Sequence, residues 1–225
     1  EYVYADEQLF HVTGVGYSAR GELKWNNENA AILPDSALML TLDAGVHCNN
    51  AQYNPQTEQM IGDPTEGCML VAGTKANMHA DLARVKEIPF TSERKMMSTV
   101  HPLNANTFRV YTKGAVERVL EHCSAIMEHG KKVPLTLGKR QQFVQQADTL
   151  SQSAYRVLAF AYRDVSAIPA DAEQNLILAG LMALRDPPRE EVKGAIALCA
   201  QAGIQVKMIT GDHPITATAI AEKAG

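Results

Sequence analysis

The feature that most constrains this chain is its longest uninterrupted apolar run, LILAGLMAL at Leu176–Leu184. It falls far short of the ~20 residues that a membrane-spanning helix needs, and it reads as a buried strand. RVLAFAY at Arg156–Tyr162 reads the same way. Three further strands are predicted at Val85–Phe90, Met96–Val100 and Thr107–Tyr111, separated by turn-like SER and PLNAN segments. Alternating residues at Leu9–Tyr17 predict another. Helices are predicted after Pro34-Asp35-Ser36, where Leu38, Leu42 and Val46 recur at helical spacing, and from Pro64-Thr65-Glu66, which leads into Met69, Leu70 and Val71. Two more are predicted at Ala115–Cys123 and Leu137–Ala154. The expected fold is therefore α+β, an antiparallel sheet flanked by helices.

The pattern changes at Asp186-Pro187-Pro188, where two prolines stop a strand and stiffen a corner. A helix is predicted at Glu190–Ala202 with Gly203 as its C-cap, then a strand at Ile204–Ile209 and a helix from Pro214. This β-turn-α order belongs to a parallel α/β sheet, of which only a part is present. The expected organisation is residues 1–185 as one domain, 186–189 as a hinge, and 190–225 as a partial second domain. The chain opens on Glu1 without a charged-then-apolar leader, which predicts a portion of a longer protein and no signal peptide.

Hydrophobic residues make up 46% and charged residues 20%, which excludes disorder and leaves enough apolar material for a core. The net charge of −4 gives no electrostatic footprint for nucleic acid or an anionic membrane. Cys48, Cys68, Cys123 and Cys199 form no CxxC pair, and the histidines form no HxxxH pair, so reduced thiols and no metal site are expected.

The usual nucleotide fingerprints are absent. There is no GxxxxGK[ST], and Gly14-Val15-Gly16 lacks a third glycine at the right spacing. Three other segments carry chemistry. Lys113-Gly114-Ala115 follows a strand and opens a helix, so its glycine would let the backbone approach a ligand while its lysine meets a phosphate; a surface lysine at a strand end is the plain alternative. Pro89-Phe90 followed by Arg94-Lys95 is consistent with a base-stacking aromatic and phosphate-holding cations, and equally with a core Phe and a solvated turn. Thr210-Gly211-Asp212 ends a predicted parallel strand, where an Asp either approaches Mg²⁺ or a phosphoryl group, or caps the next helix.

Taken together, the chain resembles the cytoplasmic part of a P-type ATPase of the calcium and sodium/potassium pump subgroup. The matching motifs are GDPTEG (62–67), PFTSERKMMS (89–98), KGAVE (113–117), RVLAFA (156–161), LRDPPREEV (184–192) and VKMITGDHPITATAIA (206–221), in the family's order and over most of the chain. The resemblance implies a nucleotide-binding domain followed by part of a haloacid-dehalogenase-like phosphorylation domain. It implies that Phe90 stacks on adenine, that Thr65 and Glu66 lie at the adenine edge with Glu66 accepting from the exocyclic amine, and that Lys113 and Gly114 line the pocket. Lys95 and Arg156 would face the phosphates. Asp186, Pro187, Pro188 and Arg189 would be the hinge, and Thr210, Gly211 and Asp212 would help hold the γ-phosphate and Mg²⁺.

The family's DKTGT and GDGxNDxP motifs do not occur, so no catalytic residue is expected within the chain. Val116 stands where the family has proline, and Ser92 where some calcium pumps have an additional Arg. The resemblance further implies ATP and Mg²⁺ as ligands, actuator, phosphorylation and membrane domains as partners in the same chain, and a cytoplasmic position in a plasma or inner-membrane protein. A haloacid-dehalogenase-type phosphatase and a stand-alone nucleotide-binding module are the competing expectations; the first requires a DxDx[TV] nucleophile motif, which is absent.

Overall fold

The computed structural model describes residues 1–14, 16–153, 155–168, 170–185, 190–209, 218, 220–222 and 225. Its centre is the strand anticipated from the apolar run, β13 (Leu176–Leu184), which is buried at every position. β12 (Arg156–Val165) pairs with it antiparallel, and β9 (Thr107–Gly114) and β8 (Met96–Asn104) follow outward to the short edge strand β7 (Lys86–Ile88). On the other side, β1 (Tyr2–Ala5), β2 (Gln8–Val12), β3 (Leu23–Trp25) and β4 (Glu28–Asn29) complete the antiparallel path, while β5 (Gln52–Asn54) and β6 (Gln59–Ile61) form a separate two-stranded sheet.

β13 is forked. β1 pairs with its Leu181–Ala183 half, whereas β10 (Cys123–Glu128) runs parallel to its Leu176–Leu178 half and carries β11 (Lys131–Pro134) as a hairpin. A bulge between Phe160 and Ala161 shifts the β12–β13 register. Side chains alternate across the sheet. Phe160, Tyr162, Ile177 and Met182 face one core, shared with α1 (Ala37–His47) and α2 (Pro64–Lys75). Ala159, Ala161, Leu176, Leu178 and Leu181 face a second core, under α3 (Val116–His122) and α4 (Leu137–Gln152). Helices cover both faces, which is why β13 tolerates no polar position.

The helices begin where the caps dictate. Ser36 Oγ accepts from Met39 N at 3.2 Å, Thr136 accepts from Lys139 N, and Asp63 accepts from Thr65 N and Glu66 N ahead of Pro64. Helix α1 is locked to the sheet by buried charge. His47 Nδ1 lies 2.9 Å from Asp43 Oδ1 and Nε2 lies 3.2 Å from Asp81 Oδ1, while Tyr111 donates its hydroxyl to Asp43. Burial pushes the His47 imidazole down, but the hydrogen bond and charge of Asp43 outweigh it and the net shift is upward.

Small residues permit the close approach of α1. A side chain at Gly180 would lie 2.5 Å from Thr41 Oγ1 and 2.5 Å from the Tyr4 carbonyl. Gly180→Ala is therefore expected to destabilise the chain by roughly 1–3 kcal/mol through overpacking. A urea-unfolding midpoint indistinguishable from that of the parent would show that this layer relaxes freely.

Several sequence expectations need correction. The strand expected at Leu9–Tyr17 ends at Val12, after which the chain leaves the sheet through Gly14 and Gly16, both at positive φ. The strand expected to stop at Val100 runs through Pro102 to Asn104; β7 pairs only with Ser98–Val100, so beyond it β8 is an edge where a missing N–H costs little. Cys123 starts β10 rather than ending α3.

Helix α5 (Glu190–Gln201) forms as expected, and Gly203 at φ +73° closes it while Ile204 N donates to the Cys199 carbonyl at 2.8 Å. The strand expected at Ile204–Ile209 does not form: no strand among the described residues lies beside it, and Ile204 is 58% and Ile209 96% exposed. Without a neighbouring strand among the described residues, the segment has no ladder to join. Of the parallel α/β unit expected after Glu190, the described residues hold helix α5 and no strand. The expected hinge Asp186–Arg189 and the trio Thr210, Gly211 and Asp212 lie outside the described residues.

Candidate functional site

A cleft of about 850 Å³ opens where the N-terminus of α2, the β7–β8 connection, the end of β9 and the start of β12 meet. Its volume suits a ligand of nucleotide or drug size. Thr65, Glu66, Phe90, Lys95, Lys113, Gly114 and Arg156 all line it. The expected nucleotide-binding residues, scattered from position 65 to 156, therefore converge on one cavity.

The floor is set by strand alternation. Lys113 pairs in register with Met97 on β8 and Phe160 on β12, so its side chain points to the face covered by α1 and α2. An ammonium there needs a partner. Lys113 Nζ donates to Glu66 Oε1 at 2.7 Å, with side-chain exposures of 6% for Lys113 and 16% for Glu66. The lysine is therefore a buried, paired group rather than a surface one. Glu66 Oε2 in turn accepts from Asn50 N at 3.0 Å. Each carboxylate oxygen has two lone pairs, so Glu66 is held rigidly by two donors and keeps capacity for a third. Met69, Met97 and Leu158 supply the apolar wall.

Phe90 stands at the mouth, 58% exposed. That rules against the reading in which it is a core residue. The turn beneath it is tight: Lys95 N donates to the Thr91 carbonyl at 2.8 Å, and Lys95 adopts φ +54°. The Lys95 ammonium has no ion-pair partner among the described residues. Across the cleft, Arg156 Nη1 donates to Thr65 Oγ1 at 2.7 Å. An exposed aromatic face, two cations at the opening and a fixed carboxylate at the bottom make an environment for a flat polar ring carrying anionic groups.

Gly114 also has a packing constraint that the sequence did not show. A side chain there would meet the Lys95 carbonyl at 2.5 Å and Met96 Cβ at 2.5 Å. Its bareness is required by the start of β8. Val116 begins α3 as a buried residue, and Ala115 ahead of it makes no side-chain cap.

Asp63, Asn50 and Glu87 also line the cleft and were missed from the sequence. Asp63 was recoverable, because Asp before Pro signals an N-cap. Asn50 and Glu87 carried no signal; Arg84 joins them, donating to Glu87 Oε2 at 2.9 Å and to Asn50 Oδ1. Among the described residues no group of three or more His, Cys, Asp or Glu is arranged to hold a metal ion. The acidic residues of the cleft are engaged by Lys113, by Arg84 and by the α2 cap.

Comparison with known proteins accords with this geometry. Residues 37–191, more than half of the chain, match the family P-type ATPase, cytoplasmic domain N. The chain is 44% identical over 194 residues to Calcium-transporting ATPase 1 of Bacillus cereus, a match covering 83% of this chain and 22% of that protein. It is 38% identical over 242 residues to Cation-transporting ATPase pma1 of Synechocystis, covering 99% of this chain and 26% of the relative. Probable cation-transporting ATPase F of Mycobacterium tuberculosis is 39% identical over 227 residues, 95% of this chain and 25% of its own length. The chain spans about a quarter of the length of these relatives. No helix of the described residues is long and apolar enough to cross a membrane. On its sequence and on the residues matched, this chain belongs to the P-type ATPase family, as its cytoplasmic domain N.

Proposed function

We propose that the chain binds ATP in the Phe90–Lys113 cleft and presents its γ-phosphate to an aspartate elsewhere in a longer cation pump. The observation that supports this most is the convergence of Thr65, Glu66, Phe90, Lys95, Lys113 and Arg156 on one cavity from separate stretches of sequence. Phe90 offers a face for the adenine ring. Glu66, fixed by Lys113 and Asn50, accepts from the exocyclic amine. Lys95 and Arg156 meet the phosphates. Phosphoryl transfer needs mainly positioning and charge neutralisation, so a domain that only holds the nucleotide contributes by delivering it.

In the whole protein, actuator, phosphorylation and membrane domains would be its partners, and a cation would be the transported substrate. The domain itself would lie on the cytoplasmic side of a plasma or inner membrane. Mg²⁺ would come with the nucleotide, and the resemblance implies that Thr210, Gly211 and Asp212 would help to hold it with the γ-phosphate. The alternative of a haloacid-dehalogenase-type phosphatase calls for a parallel sheet, whereas the described sheet is antiparallel apart from the β10–β13 pair.

The test is a titration of the isotope-labelled chain with ATP and with ADP, followed by amide chemical shifts. Both are expected to bind with similar constants in the millimolar range, about −4 kcal/mol, because the base contacts dominate. The shifts should centre on Thr65, Glu66, Phe90, Lys113 and Arg156, and no phosphate should be released. Shifts centred outside this cleft, or a turnover that survives further purification, would overturn the proposal.

A further inference from the structure

Behind the sheet, on the face away from the cleft, a polar chain ends on the segment that carries Phe90. Thr112 and Ser98 are register partners on β9 and β8, both fully buried, with their hydroxyl oxygens 2.8 Å apart. Ser98 Oγ donates to Glu173 Oε1 at 2.6 Å. An ionised carboxylate only accepts, so the one proton of Ser98 points to Glu173, and Thr112 must donate to Ser98. Glu173, on the β12–β13 connection, is itself buried, with 9% exposure, and beside it Ala172 packs with Val100 and Val110.

The same oxygen of Glu173 accepts from Arg94 Nη2. The other guanidinium nitrogen, Nη1, donates to the Pro89 carbonyl at 2.7 Å. Arg94 therefore bridges a buried carboxylate behind the sheet and the peptide unit immediately before Phe90. One residue further on, Lys95 reaches the cleft. A planar fork with two separated donors makes such a bridge; a lysine has a single point charge and cannot make it in the same geometry.

We propose that Arg94 and Glu173 are positioning residues for the nucleotide: a strut behind the sheet that holds the Pro89–Lys95 segment so that Phe90 and Lys95 face the cleft. This rests on the reading of the cleft as a nucleotide site. Neither residue is among those that line the cleft. The strut explains why an exposed aromatic on a connecting segment has a fixed place: its anchor lies in the buried layer on the far side.

The experiment compares ATP dissociation constants and urea-unfolding midpoints for the 225-residue chain and its Arg94→Lys, Glu173→Gln and Phe90→Ala variants. Arg94→Lys keeps a positive charge beside Glu173 but loses the bridge to Pro89. It is expected to keep its unfolding midpoint and to bind ATP about tenfold more weakly, which corresponds to about 1.4 kcal/mol. Glu173→Gln should weaken ATP binding by a similar factor. In a Phe90→Ala background the added Glu173→Gln should cost less than about threefold, because most of the strut's effect passes through Phe90. A merely structural role predicts instead that affinity falls only as far as stability falls, and by the same factor with or without Phe90.

Wild-type ATP affinity in folded Arg94→Lys and Glu173→Gln, alongside weakened binding in Phe90→Ala, overturns the strut and leaves the cleft assignment standing. Wild-type affinity in folded Phe90→Ala overturns the cleft assignment, and the strut with it. Should Glu173→Gln fail to fold, Arg94→Lys alone decides.

Discussion

Glu66→Leu is expected to destabilise the chain by about 3–5 kcal/mol, the effect of removing one partner from a buried ion pair. The reason is Lys113, whose side chain is only 6% exposed and whose ammonium donates to Glu66 at 2.7 Å. Its other polar contact is the Met69 sulfur at 3.7 Å, which cannot stand in for a carboxylate. With a urea dependence of roughly 1–3 kcal/mol per molar, the midpoint should move by more than 1 M. Lys113→Met should be milder, since Met69 and Met97 surround the position and Glu66 keeps the Asn50 N–H. Combining Glu66→Leu with Lys113→Met should recover most of the loss, because it removes both charges together. A Glu66→Leu midpoint within about 0.3 M of the parent would mean that Lys113 reaches water and that the pair does not hold the cleft floor.

The second large effect concerns binding rather than folding. Phe90→Ala should weaken ATP binding roughly 5- to 150-fold, the equivalent of about 1–3 kcal/mol of base stacking. It should leave stability nearly unchanged, because Phe90 is 58% exposed. A core phenylalanine would behave in the opposite way, with about 3–5 kcal/mol lost from stability on truncation. Melting curves and ATP titrations on the same variant separate the two patterns. A folded variant with parental affinity would dismiss Phe90 as the stacking face.

The parts of this protein legible in its sequence are those in which one local rule decides. The apolar run of β13 could only be buried, and Pro64 behind Asp63 could only open a helix. Two of the hairpins, β1–β2 and β3–β4, were less legible because their turns are written without a glycine signal. Asp6-Glu7 and Asn26-Asn27 both take positive φ at two successive positions, the geometry usually marked by Asn-Gly or Asp-Gly. Strand β10 was hidden because helix and strand meet at Cys123 with no breaker between them.

The cleft residues were named from motifs, but their relations were not. Nothing in the sequence pairs Lys113 with Glu66, since that contact depends on the β8–β9–β12 register and on the angle at which α2 leaves its cap. Ile204–Ile209 shows the converse. Its pattern is that of a strand, but pattern alone supplies no neighbour to pair with.

The fork at β13 has a mechanical consequence. Because β1 pairs antiparallel with the second half of β13, Tyr2 sits opposite Ala183, and the chain enters and leaves the sheet side by side. Arg156, on the cleft, pairs with Leu184 at that same corner. The start of β1 and the end of β13 thus meet beside the cleft, on a strand packed on both faces. Arg156 is therefore placed by the same ladder that joins β1 to β13, so the backbone at this edge of the cleft is fixed by strand pairing rather than by a loop.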